Sequence, residues 1–316
     1  MIYLLKRLLA AIPIALAVSI VCFSLTYLAP GDPLSAVVPS DASKELIDTL
    51  KKEYGFDKPI PVQYATWLGR ALSGNLGTSI ATGRPVASEI GRAIVNTFML
   101  AMAASLVGFT LGAVFGTIAG YFNGSWIDKL VSGVAIAGVS VPHYWLGMVL
   151  VIIFSVYLGW LPAMGAGPGG SSEWVWDFEH IKYLVLPAIT LSVIPTGIVT
   201  RTLRALVADI LSKEFVTALV AKGLTSFDVF RHVVKNAAPT ALAVMGIQLG
   251  YLLGGSILVE TVFSWPGTGF LLNTAIFQRD IPLLQGTILV LALFFVGLNL
   301  LVDILQSFLD PRIRRA

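Results

Sequence analysis

Residues 213–239 read KEFVTALVAKGLTSFDVFRHVVKNAAP, a polar, charged island in an apolar sequence. One hydrophobic run, Tyr183–Thr200, precedes it and another, Ala237–Val259, follows it. The island reads as two short helices. Glu214 to Lys222 is helix-friendly, Gly223 is suited to ending that helix, and Thr225-Ser226 to capping the next. The second segment, Phe227–Asn236, sets Phe227, Phe230, Val233 and Val234 on one face, with Asp228, Arg231 and Lys235 elsewhere. A short helix outside a membrane, with mixed charge and exposed phenylalanine, suits the docking of a soluble partner. The plainer reading is a solvated connector between two spans.

Composition frames the island. The chain has 316 residues, 56% of them hydrophobic and 12% charged, against ~25% charged in an average soluble domain. The net charge of +3 is too small and too dispersed to point to nucleic acid. The single cysteine, Cys22, lies in an apolar run, so no disulfide forms within the chain. Lys6-Arg7 before Leu8–Leu28 resembles a signal peptide, but a cleavable core is only ~7–15 residues long and ends at small residues. The run is read instead as a retained first span.

A span takes about 20 apolar residues. Six stretches qualify: Leu8–Leu28, Thr97–Tyr121, Leu130–Gly159, Tyr183–Thr200, Ala237–Val259 and Leu283–Val302. Pro142 offers a break in the third, and Pro187, Pro195 and Gly197 predict an irregular fourth. With the N-terminus inside, the inside segments hold most basic residues, while the short outside loops hold only Lys182 and Arg279. Both termini and the island are therefore expected in the cytoplasm. Domain expectations follow: 1–29 for the tail and first span, 30–96 for an external region, and 97–316 for a core holding a cytoplasmic loop at 201–236. In the external region, Asp41–Tyr54 reads as an amphipathic helix. Pro61 starts a second helix carrying Tyr64, Trp67 and Leu68.

Glycine recurs at every fourth position in two spans, as Gly108, Gly112, Gly116 and Gly120 and as Gly246, Gly250 and Gly254. Such a face lets another backbone approach closely, from within the bundle or from another subunit.

Chemistry is conspicuous by its absence. The sequence has no phosphate-cradling G-x-x-x-x-G-K-[ST]. Gly165–Gly170 fits G-x-G-x-x-G but follows a span, contains Pro168 and reads as a flexible loop. His143, His180 and His232 are too dispersed for a metal set. No span carries the carboxylates of a proton relay, with Glu260 and Asp303 only at span ends. A pathway without its own energy source gives a cytoplasmic docking loop its purpose.

Several motifs then become recognisable in order. They are Leu28-Ala29-Pro30-Gly31-Asp32-Pro33, Gly74–Ser79 with Arg84-Pro85-Val86, Ser140–Gly147, Leu158–Pro162, Phe263–Gly269, Arg279–Pro282, Asn299–Asp303 and Asp310-Pro311-Arg312. Over its whole length the chain resembles permease subunits of bacterial ABC importers in the dipeptide/oligopeptide/nickel branch, the first of the two permeases in such systems. The resemblance implies an all-α polytopic fold of six transmembrane helices, the type I importer permease fold, in the bacterial inner membrane. It also implies a heterodimer with a homologous permease, two cytoplasmic ATP-binding subunits and an external substrate-binding protein.

By the same resemblance the chain is non-catalytic and binds no cofactor, while ATP and Mg are held by the partner subunits. The island matches the cytoplasmic "EAA" loop, with Ala221, Lys222, Gly223, Leu224, Phe227, Asp228, Phe230, Arg231, His232, Lys235 and Asn236 as ATPase-docking residues. Thr217 and Leu219 stand where the general pattern has glutamate and alanine. Pro142, His143, Tyr144, Trp265 and Pro266 are candidates for the pathway or outer gate. The implied cargo is di- or oligopeptides, or another peptide-like solute such as a nickel chelate, glutathione or an opine. An ion-coupled secondary transporter is the alternative from a different class.

Overall fold

The computed structural model describes residues 2–28, 57–171 and 174–309. The expected helix at Asp41–Tyr54 lies outside the described residues. Ten α-helices are named here: α1 (Ile2–Leu28), α2 (Ile60–Leu72), α3 (Val86–Tyr121), α4 (Trp126–Ser140), α5 (His143–Leu150), α6 (Phe178–Leu211), α7 (Glu214–Ala221), α8 (Ser226–Val262), α9 (Thr268–Gln278) and α10 (Ile281–Leu309). Among the described residues, extended pairing is limited to an isolated bridge between Thr78 and Pro85. Among the described residues, three segments are long and apolar enough to cross a membrane alone: Val86–Tyr121, Phe178–Leu211 and Ile281–Val302. Two bent pairs each qualify as one broken span, and α1 contributes a shorter apolar helix, Leu9–Leu25.

The chain divides into two compact units, Met1–Asn96 with Pro266–Gly297, and Thr97–Trp265 with Leu298–Ala316. In the first, α2 lies on α1 through an aromatic cluster. The Phe23 ring is 5.5 Å from Tyr64 and 5.8 Å from Trp67, and Ser19 shares a 2.7 Å hydrogen bond with the Tyr64 hydroxyl. Gln285 of α10 donates to the Cys22 carbonyl at 3.1 Å. A small core of Val86, Ile90, Ala275 and Leu283 sits behind the loop that carries Leu76.

That loop is pinned by Asp280. Its carboxylate accepts from Ser79 Oγ at 2.5 Å and from the Ala81 amide at 3.1 Å. Its other oxygen accepts from Leu283 N at 3.1 Å, as a helix N-cap does. Two motifs far apart in sequence, Gly74–Ser79 and Arg279–Pro282, thus form one structure.

In the second unit α3 and α6 run the same way in tight register. A Cβ on Gly108 would meet the Ser192 carbonyl at 3.0 Å, one on Gly116 the Thr200 carbonyl at 2.7 Å, and one on Gly120 the Arg204 carbonyl at 2.7 Å. Parallel neighbours need a return crossing between them, which α4 and α5 supply. Their axis turns by 99° where Pro142 follows Val141, because proline cannot continue the preceding helix. After α5 the backbone winds as a π-helix over Val151–Tyr157.

Two expectations need correction. The fourth span was predicted irregular, yet α6 runs unbroken for 34 residues with Pro187 and Pro195 inside it. Both prolines and Gly197 are buried, so packing on this face outweighs the lost backbone bonds. Phe227–Asn236 was predicted as a separate short helix. It is instead the start of α8, which continues through Pro239 for 37 residues and bends by 51° only near residue 253. Ala237 and Ala241, on either side of Pro239, are buried in the core and hold the helix through it.

Candidate functional site

The polar island forms a bracket across the ends of two long helices. α6 stops at Leu211, and Lys213 starts α7 while pairing with Asp209 at 3.0 Å. α7 ends in a Schellman motif. Gly223 has φ 80°, its amide donates to Val220 O at 2.9 Å, and the Leu224 amide donates to Leu219 O at 3.2 Å. Thr225 then caps α8, accepting from the Asp228 amide at 3.2 Å while its hydroxyl donates to the Asp228 carboxylate at 2.6 Å.

The bracket is fixed to the helices behind it. Val216 of α7, Val229, Val233, Ala237 and Ala241 of α8, and Val199, Leu203, Val207 and Ile210 of α6 make one buried apolar cluster. Leu219 and Leu224, the apolar pair of the Schellman turn, pack on its edge. Burying a valine such as Val216 from water is worth roughly 1.5–3 kcal/mol. The rest of α7 faces outward: Glu214, Phe215, Thr217, Ala218, Val220, Ala221 and Lys222 are exposed. Arg231, His232, Lys235 and Asn236 are exposed on α8, and Asn236 donates to the His232 carbonyl at 2.8 Å. Phe227 is exposed too, but it lies with Phe230 beside α3.

An ion pair that the sequence reading passed over braces the same end. Arg204 Nε donates to Asp128 Oδ1 at 2.9 Å and Nη2 to Oδ2 at 2.7 Å, a bidentate fork, and Nη2 also reaches Asn123 Oδ1. Asp128 precedes the apolar part of α4. These Arg204 hydrogen bonds, foremost, hold its carboxyl well below the usual carboxylate range. At the other end of α6, Asp177 caps the helix by accepting from the His180 amide at 2.7 Å, which lowers its carboxyl pKa.

The pathway candidates fall into two places. Pro142, His143 and Tyr144 form the break between α4 and α5. His143 lies by the Gly255 backbone, beside the bend of α8, and its Nε2 is buried without a partner. Trp265 is fully buried 5.6 Å from Trp174. The Pro266 carbonyl accepts from Asn96 at 2.9 Å within the first unit. Glu260, noted in the sequence only as a span end, is 0% exposed and accepts from Thr97 Oγ1 at 2.9 Å. Gly165–Gly170, expected to be a flexible loop, packs in its first half, where Gly167 lies so close to His180 that a Cβ there would sit 2.4 Å from Nε2, while residues 168–170 are exposed. Among the described residues no group of three or more His, Cys, Asp or Glu could hold a metal ion.

Residues 112–315 match the family model of the binding-protein-dependent transport system inner membrane component, and residues 1–105 match the N-terminal model of the same systems. The chain belongs to this family. It is 37% identical over 329 residues to a dipeptide transport system permease protein of Alkalihalophilus pseudofirmus, covering 99% of each chain. It is 36% identical over 313 residues to the glutathione transport system permease protein of Escherichia coli K12, covering 99% of this chain and 98% of that one. Its fold is similar to that of a chain in the inward-facing MetNI methionine ABC transporter, with TM-score 0.56 at 16% identity, over 70% of this chain and 96% of that one. The protein is thus an all-α, multi-pass inner-membrane permease of the ABC importer class.

Proposed function

We propose that this permease forms one half of the pathway of an ATP-driven peptide importer, paired with a homologous permease. An external binding protein delivers cargo, and two ATPase subunits, holding ATP and Mg2+, dock on the outward face of α7 and the turn at Gly223. The permease itself contributes no catalytic group. The observation that supports this reading is the construction of the bracket. Its outer face is exposed and mixed, with Phe215 and Val220 beside Glu214, Thr217 and Lys222, while its inner face shares one core with α6 and α8. A push on α7 therefore reaches two long helices as a rigid displacement, which is what a two-state transporter needs. Peptides are favoured as cargo because relatives named for dipeptide and for glutathione transport are about equally similar to this chain, and both cargoes carry peptide bonds and charged ends.

The test is Gly223→Val in the assembled importer. At φ 80° a β-branched residue is strained by about 1–2 kcal/mol, enough to deform the turn but not to prevent insertion. Uptake of labelled dipeptide into ATP-loaded vesicles should fall sharply while the protein level in the membrane holds. Wild-type uptake and substrate-stimulated hydrolysis in this variant would overturn the docking assignment. Uptake by the native importer from an ion gradient without ATP would overturn the energy source.

A further inference from the structure

The first two turns of α8 and the last turns of α3 enclose an apolar groove of about 670 Å³. Its walls include Val114 and Ile118 of α3, Phe122 just after it, and Phe227, Phe230 and Val234 of α8. The helices run antiparallel here, with the Phe230 ring 6.5 Å from that of Tyr121. One wall is the end of a helix apolar enough to span the membrane. The groove therefore runs from hydrocarbon depth at Val114 and Val234 to the polar end at Phe122 and Ser226. Among the described residues of the second unit nothing closes it over: Phe227 is 73% exposed and Phe122 46%.

Charge tells what fits. Turning round α8 from the groove, the next side chain is Arg231, four residues after Phe227 and three before Val234, and Lys235 stands beyond it; both are exposed. The nearby acid, Asp228, is engaged by the Thr225 hydroxyl at 2.6 Å. The polar mouth also lies at the N-terminal, partially positive end of a 37-residue helix. An apolar slot entering the bilayer under an arginine that can snorkel to the surface matches an acyl chain with an anionic headgroup. We propose that this groove is a binding site for an anionic membrane phospholipid. Its acyl chain lies against Ile118, Phe230 and Val234, and its phosphate meets Arg231. Because α8 also carries the bracket, the lipid is a structural part of the coupling end and not bulk solvent.

The experiment uses the full chain in its assembled importer, reconstituted in phosphatidylcholine vesicles. These carry traces of phosphatidylglycerol or phosphatidylcholine with a photoactivatable diazirine in the acyl chain. Label should map to residues 113–122 and 226–234, with about fivefold more from phosphatidylglycerol, the preference one surface arginine gives. Arg231→Glu should reduce phosphatidylglycerol labelling to the phosphatidylcholine level, and Arg231→Lys should restore most of it. Both are exposed-site changes whose folding is checked by gel filtration. Equal labelling by the two lipids, or labelling indifferent to Arg231→Glu, would reduce the groove to an ordinary greasy surface. No label there, together with a photocrosslink from position 227 to another subunit, would assign it to a protein partner instead. None of these results depends on whether ATP drives uptake.

Discussion

Two helices carry the same four-residue glycine spacing, and the structure treats them differently. On α3 the stripe is jammed against α6. A Cβ at Gly112 would fall 2.7 Å from Val199 Cβ, and one at Gly116 would fall 2.8 Å from Leu203 Cβ. On α8, Gly246 is half-buried and Gly250 buried, yet a Cβ at Gly254 would meet nothing within 4 Å. Its face is flanked by Tyr251, 70% exposed, and Leu258, 50% exposed. The spacing announces a smooth face and says nothing about what lies on it. On α3 the glycines set the distance between two backbones. At Gly254 the smoothness is left to whatever the second unit does not itself supply.

The sharpest way to break this contrast is Gly116→Leu. The new side chain would collide with the Thr200 carbonyl and with Leu203, and overpacking of this kind costs about 3 kcal/mol or more. Thermal unfolding of the purified protein should show a large drop or no folded fraction. Next comes Asp128→Ala, because the α3 stripe ends where Gly120 abuts Arg204, whose guanidinium Asp128 holds. The Asp128 side chain is 4% exposed and that of Arg204 38%. The loss should therefore fall between that of a surface pair and that of a buried one, about 2 kcal/mol.

The wild-type contribution has a pH signature. A carboxylate whose folded pKa is depressed stabilises fully above its unfolded value of about 4 and loses that stabilisation as pH falls toward the folded value. The Asp128→Ala deficit should accordingly narrow in acid, measured by melting at stepped pH. The smallest effect is expected from Gly254→Ala, within about 0.5 kcal/mol. A melting loss several times larger would place both stripes in one class.

Much of this architecture is legible in the sequence. The apolar runs, the break at Pro142, the cap at Thr225 and the stop at Gly223 all follow from local chemistry, because hydropathy, missing amide donors and φ preference act over a few residues. What escaped it acts at a distance. Pro187 and Pro195 argue locally against a helix, but their burial in α6 decides otherwise. Arg204 and Asp128 are separated by a broken span, and Glu260 looks like a boundary residue until Thr97 is found against it. Helical periodicity puts Phe227 and Phe230 on one face, and the family resemblance counts them among the docking residues. Only the position of α3 shows which way they face.

The anchoring of the Gly74–Ser79 loop on Asp280 has a consequence for biosynthesis. Ser79 and its carboxylate partner are 201 residues apart, so at ~5–20 residues per second the loop waits roughly 10–40 s for its anchor to be made. During that interval the Val86 and Ile90 side chains lack Ala275 and Leu283. The first unit cannot mature in the order in which it is synthesised. A chain truncated before Asp280 would leave an unfinished unit, and quality-control proteases would have a clear sign of incomplete synthesis.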